Sequence, residues 1–82
     1  MELIKIKEKD DKIILSDENG NTASFSFIDM VRFGGKEYAA IADDEDEIYI
    51  MEFIDGKKER FIEIEDDNVF NAVLNLFDDL EE

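Results

Sequence analysis

The chain has 82 residues, with no cysteine, histidine or proline, and a formal net charge of −15 from 24 acidic and 9 basic residues. Its length fits one domain, and its composition excludes disulfides, thiolate or imidazole metal sites, and nucleophiles built on cysteine or on a histidine base. The hydrophobic fraction of 44% is too high for a disordered acidic tail, while the charge opposes contact with nucleic acid and anionic lipid.

The N-terminus, Met1 to Glu8, has no long apolar run and no small-residue cleavage site, so it does not read as a secretory signal. No stretch approaches the ~20 apolar residues of a membrane span. A cytoplasmic location is the expectation, and the lack of cysteine fits a reducing compartment. Ile4 and Ile6 alternate with lysines. Residues 1–11 therefore read as an N-terminal segment, either an edge strand or mobile, ahead of a single acidic domain over 12–82. Residues 1–12 hold four acids and four lysines, so the whole net charge falls in 13–82.

Lys12 to Ser16 forms a short strand, and Asp17-Glu18-Asn19-Gly20-Asn21 after it is a hairpin signal, because Asn-Gly suits a turn that needs positive φ. In the next run, Thr22 to Phe33, Ala23, Phe25 and Phe27 share one face. The phase then slips, and a β-bulge near Ile28-Asp29 would return Val31 and Phe33 to a buried face. Gly34-Gly35 marks a second hairpin. Lys36 to Ala42 is a third strand, whose alanines leave room for a helix to lie close. Asp43 to Glu47 is an acidic turn.

Ile48 to Ile54 is apolar on both faces, with Ile48, Ile50 and Ile54 on one side and Tyr49, Met51 and Phe53 on the other. This is the pattern of a strand covered twice. A single helix covers one face of a sheet only. The other side requires the N-terminal segment, a curl of the sheet, or a partner. Asp55-Gly56 is a tight turn, and Lys57 to Glu65 is a fifth strand with Ile62 and Ile64 as its inward set.

The period then changes. Asp66 or Asp67 can cap a helix, and Phe70, Val73, Leu74 and Phe77 follow the i, i+3, i+4, i+7 rule, with Leu80 beside the stripe. The sum is an α+β fold: an antiparallel β-meander of about five strands with one C-terminal amphipathic helix packed on one face.

The order of these parts resembles a known family. The resemblance rests on Ile13-Ile14-Leu15-Ser16-Asp17-Glu18-Asn19-Gly20-Asn21, the Phe-rich second strand, Gly35-Lys36-Glu37-Tyr38-Ala39, the acidic turn before Glu47-Ile48-Tyr49-Ile50, and Ile64-Glu65-Asp66-Asp67 ahead of a helix with Phe70 and Phe77. From about Ile13 to Glu82 the chain is similar to the bacterial domain-of-unknown-function family 1292, also called the YrzB-like family. The resemblance implies a cytoplasmic bacterial protein of unassigned function, and it assigns no site residues.

Catalytic and cofactor sites are not expected. Ser16, Ser24 and Ser26 have no base beside them, and among 24 acids some carboxylate pair is always available. Asp43, Asp44, Glu45, Asp46 and Glu47 read first as a solvated turn. Asp43, Asp44 and Asp46 are also the candidate ligands for a divalent cation, although the run lacks the glycine of a calcium loop and Asp17-Glu18-Asn19-Gly20 misses the EF-hand spacing. The same run, with Asp78 and Asp79 at the unfavourable end of the helix dipole, forms a candidate surface for a basic protein partner. The leading expectation is a non-enzymatic protein-interaction domain with an acidic rim and whatever apolar patch the sheet leaves open. The alternative is a divalent-cation-binding protein that uses loop 43–47.

Overall fold

Alternating apolar residues between tight turns produce six strands: β1 (Glu2–Lys9), β2 (Lys12–Ser16), β3 (Thr22–Phe33), β4 (Lys36–Ala42), β5 (Ile48–Ile54) and β6 (Arg60–Glu63). The helix α1 (Asp67–Leu80) follows. The structure is a computed structural model that describes the backbone of residues 1–80 and the side chains of residues 1–78. Each strand pairs antiparallel with the next, and β6 pairs back onto β1, so the sheet closes into a barrel. The α+β meander with its C-terminal helix is present, with six strands where the sequence suggests about five.

The additional strand is β1. It is not an edge, because it is paired on both sides: Leu3 lies opposite Phe61 of β6, and Lys5 lies opposite Leu15 of β2. Its backbone is anchored by Lys5 N–H donating to the Glu59 carbonyl at 2.9 Å and by Glu63 N–H donating to the Met1 carbonyl at 2.9 Å. Two-residue turns with positive φ at both positions join β1 to β2 (Asp10 53°, Asp11 68°) and β3 to β4 (Gly34 61°, Gly35 80°). Such turns match the right-handed twist of the strands they connect.

Closure answers the question posed by the inner face of β5. Met51 is buried inside the barrel with Leu3, Leu15, Phe25, Ile41 and Phe61, and Tyr49 and Phe53 pack against this core. A barrel this small is filled by its own side chains. Phe25 and Tyr49 meet edge to face with ring centroids 6.0 Å apart, and the Phe53 and Phe61 rings lie 5.3 Å apart.

The helix packs on the outside. Val69, Val73 and Phe77 cover Tyr38, Ala40, Ile50 and Ile64. The fully double-covered strand is therefore β4, where Ala39 and Ile41 face the barrel core and Tyr38 and Ala40 face the helix. Ala40 is the small residue that lets α1 approach. Asp66 caps the helix, its Oδ1 accepting the N–H of Asn68 at 2.8 Å and of Val69 at 3.3 Å.

The register breaks at Ile28, between the pairs Phe27–Ile41 and Asp29–Ala40, which is the bulge that the phase slip suggests. It turns Met30 toward the barrel core and Val31 toward the helix. Phe33 is exposed, not buried, because it sits at the strand end beyond both cores. A second bulge leaves Ile6 of β1 without a partner in β2. In β6 the inward residue is Phe61, not Ile62, because Phe61 pairs with the inward-facing Phe53 and Leu3. Ile64 lies past the strand end and packs in the helix-side layer.

Candidate functional site

The acidic run Asp43–Glu47 is a five-residue hairpin loop with the same architecture as Asp17–Asn21. In the first loop Asp17 N–H donates to the Asn21 carbonyl at 2.9 Å and Gly20 N–H to the Asp17 carbonyl at 3.2 Å. In the second, Asp43 N–H donates to Glu47 at 3.0 Å and Asp46 N–H to Asp43 at 3.1 Å. Each leading aspartate closes its loop: Asp17 Oδ1 accepts Asn19 and Asn21 N–H, and Asp43 Oδ1 accepts Glu45 and Glu47 N–H, both at 2.9 Å for Asp43. Asp46, with φ 63°, stands where the first loop has Gly20, with φ 87°.

Asp43 is thus a turn-forming residue. Its other oxygen accepts from the Tyr49 hydroxyl at 3.0 Å, and that hydroxyl also lies 3.0 Å from Glu47 Oε2. The hydrogen bond to Glu47, then the one to Asp43, holds the Tyr49 pKa up, to about 12. The Glu47 N–H, with smaller help from Glu45 N–H and the Tyr49 hydroxyl, holds the Asp43 carboxyl below its usual range. The Asn21 side-chain amide, followed by the Asn21 N–H, does the same for Asp17. A lowered folded-state pKa stabilises the fold above the ordinary aspartate range, and this stability is lost as pH falls through the folded value. The D17N/D43N double variant should therefore lose less of its melting temperature than the parent between about pH 5 and pH 2, as read by thermal melts across that range.

Lys12 Nζ donates to Asp44 Oδ1 at 3.0 Å, an exposed pair that ties the loop to β2. Glu45, Asp46 and Glu47 face solvent. Asp43, Asp44 and Asp46 do not converge, and among the described residues no group of three or more acids is placed to hold a metal ion. The φ at Asp46 gives a second expectation. D46G should raise stability by up to ~1 kcal/mol, or ~4–8 °C in melting temperature, by relieving a left-handed backbone at a side-chain-bearing residue. D46N removes the same charge without freeing the backbone. Equal melting of the two variants would assign the gain to charge alone.

The loop leads directly into a groove that the sequence did not reveal. Ile48, the first residue of β5, is 58% exposed, Ile28 at the β3 bulge 49%, and Leu74 on α1 38%. They line a groove of about 330 Å³ between α1 and the barrel, together with the buried Ala40 and Phe77, the half-buried Ile50 and Phe70, and the exposed Asp29 and Asp78. Asp29 Oδ1 accepts the Met30 N–H at 2.7 Å across the bulge. The structure brings Asp78 and the end of the acidic loop to this one groove through Ile48. The Asp79 side chain lies outside the described residues. Ile28, Asp29, Ile48 and Leu74 do not stand out as site residues in the sequence. The signal that pointed there was the phase slip at Ile28-Asp29, which read only as a strand irregularity.

The chain is similar to proteins without an assigned activity. The family model described as "Protein of unknown function (DUF1292)" matches residues 18–82. A "UPF0473 protein" of Heliobacterium modesticaldum is 37% identical over 81 residues, covering 93% of this chain and 91% of its own. A "UPF0473 protein" of Alkaliphilus oremlandii is 28% identical over 81 residues, covering 92% and 94%. No solved structure matches the chain significantly. These matches indicate no enzymatic family. Among the described residues no helix is long and apolar enough to cross a membrane.

Proposed function

The chain belongs to the family of proteins of unknown function DUF1292, and we propose that its member described here is a non-enzymatic protein-interaction domain for a basic partner. One observation carries the reading: the exposed acids of loop 43–47 and Asp78 adjoin the same apolar groove, through Ile48 in one case and directly in the other. Complementary charge gives such a surface its orientation and association rate, and a buried apolar centre gives it lifetime. The cytoplasm is the setting we infer, which the cysteine-free composition suits. A net charge of −15 makes basic surfaces the complementary partners and repels nucleic acid.

The test is capture of tagged protein from its native cell, followed by rebinding of the captured protein in purified form. The expected partner carries a basic patch, and its affinity falls as NaCl rises and falls again in the D44N/E45Q/D46N variant. Asp43 is spared in that variant because it shapes the loop. A purified partner whose affinity ignores both salt and the variant would contradict the reading.

A further inference from the structure

We propose that the groove between α1 and the barrel receives one face of a basic amphipathic helix from a partner protein, with apolar side chains seated between Ile28, Ile48 and Leu74 and a lysine or arginine set against Asp29 and Asp78. This rests on the interaction-domain reading and gives it a place and a partner chemistry. Seven large hydrophobic residues are exposed among those described, and three of them line this one groove. Such clustering marks an interface more than scattered exposure does.

The mode of binding follows from what the fold leaves available. The barrel is closed, so only short stretches, residues 29–33 of β3 and 48–50 of β5, are paired on one side alone, little edge for a partner to extend by adding a strand. Phe70, Leu74 and Asp78 follow one another at i, i+4 and i+8 along α1, a ridge against which a second helix packs. At about 330 Å³ the groove has the size of the smallest ligand pockets, room for a few side chains.

Charge selects the occupant. The last turn of α1 has no basic residue, and the carbonyl end of a helix is itself negative. Asp78 adds a carboxylate there, and the exposed Asp29 lines the same groove. Among the described residues no lysine or arginine pairs with either acid. A cation at that point must come from outside the domain. A second copy of this chain is a poor source, because two bodies of charge −15 repel each other.

The experiment titrates the intact protein with a synthetic leucine–lysine peptide whose leucines fall on one helical face, and follows backbone amide shifts at about 0.15 M NaCl. One control peptide has the same composition scrambled off the helical period, and another has glutamate for lysine. We expect shifts centred on Ile28, Ile48 and Leu74, no binding of the acidic peptide, and weaker binding of the scrambled one. L74S and I48S, at exposed positions that should leave melting nearly unchanged, should each weaken the amphipathic peptide at least ~10-fold. D29N/D78N should weaken it more than D44N/E45Q does. Equal, diffuse binding of both basic peptides, indifferent to L74S, would overturn the groove while leaving the acidic-surface reading standing. No binding of either basic peptide would overturn both. Concentration-dependent dimerisation with shifts in the groove would assign it to a second copy and overturn the proposal.

Discussion

Deleting residues 1–9 should abolish the folded monomer. The deletion removes Leu3 from the barrel core and strips β2 and β6 of a neighbour. Two unpaired edges would then flank an interior opened onto Leu15 and Phe61, and such edges pair with other chains. A domain of this size buries only ~60% of the surface its unfolded chain exposes, so it has little stability in reserve. The expected result is loss of the cooperative melting transition by circular dichroism, with aggregates on size exclusion. A truncated chain that melts as the parent does would make β1 a peripheral strand.

Phe61→Ala should cost ~3–5 kcal/mol, a large part of the ~5–15 kcal/mol typical of whole domains. Phe61 is 1% exposed, touches Phe53, and stands opposite Leu3 of the closing strand. Its loss opens a cavity in the middle of the barrel, where closed hydrogen-bonded strands limit collapse. Ile62→Ala should cost clearly less, because Ile62 is half-buried on the outer face. Urea midpoints of the two variants provide the check. A larger loss at Ile62 than at Phe61 would mean that β6 presents the other face to the core.

Much of this architecture is legible from local pattern. The turn at Asp17–Asn21, the bulge at Ile28 and the helix after Asp66 each leave a mark within a few residues, because φ preference, alternation and capping are local physics. The β1–β6 pairing leaves none. It joins the two ends of the sheet, and the mixed lysine–isoleucine pattern of β1 looks like an edge when its partner is unknown. Ile6 misleads further, since it is apolar yet 55% exposed at a bulge. The phase of β6 fails for a related reason. Ile62 and Ile64 alternate with glutamates, whereas the inward Phe61 follows Arg60 and is identified only by its cross-strand partners.

The site divides in the same way. The acidity of loop 43–47 is visible in the sequence, but the role of Asp43 is not, because a turn-closing aspartate and a free one look alike in a row of acids. Only comparison with the Asp17 loop shows that the two hairpins share one design, with Asp46 in the place of Gly20. The groove escapes local pattern altogether. Ile28, Ile48 and Leu74 come from three elements, and each reads singly as a core residue.

Barrel closure decides which apolar surface is left for a partner. If β1 seals the sheet, Tyr49, Met51 and Phe53 belong to the core, and the helix-side groove is the apolar surface that adjoins the acidic loop. The most direct measurement is amide hydrogen exchange with proton–proton contacts across the β1–β6 seam. Closure predicts slow exchange at Lys5 and Glu63, whose N–H groups donate to Glu59 and Met1, and a short cross-strand contact between the backbones of Leu3 and Phe61. Rapid exchange at both amides with no such contact would contradict it, and would return the inner face of β5 to the list of surfaces that a partner must cover.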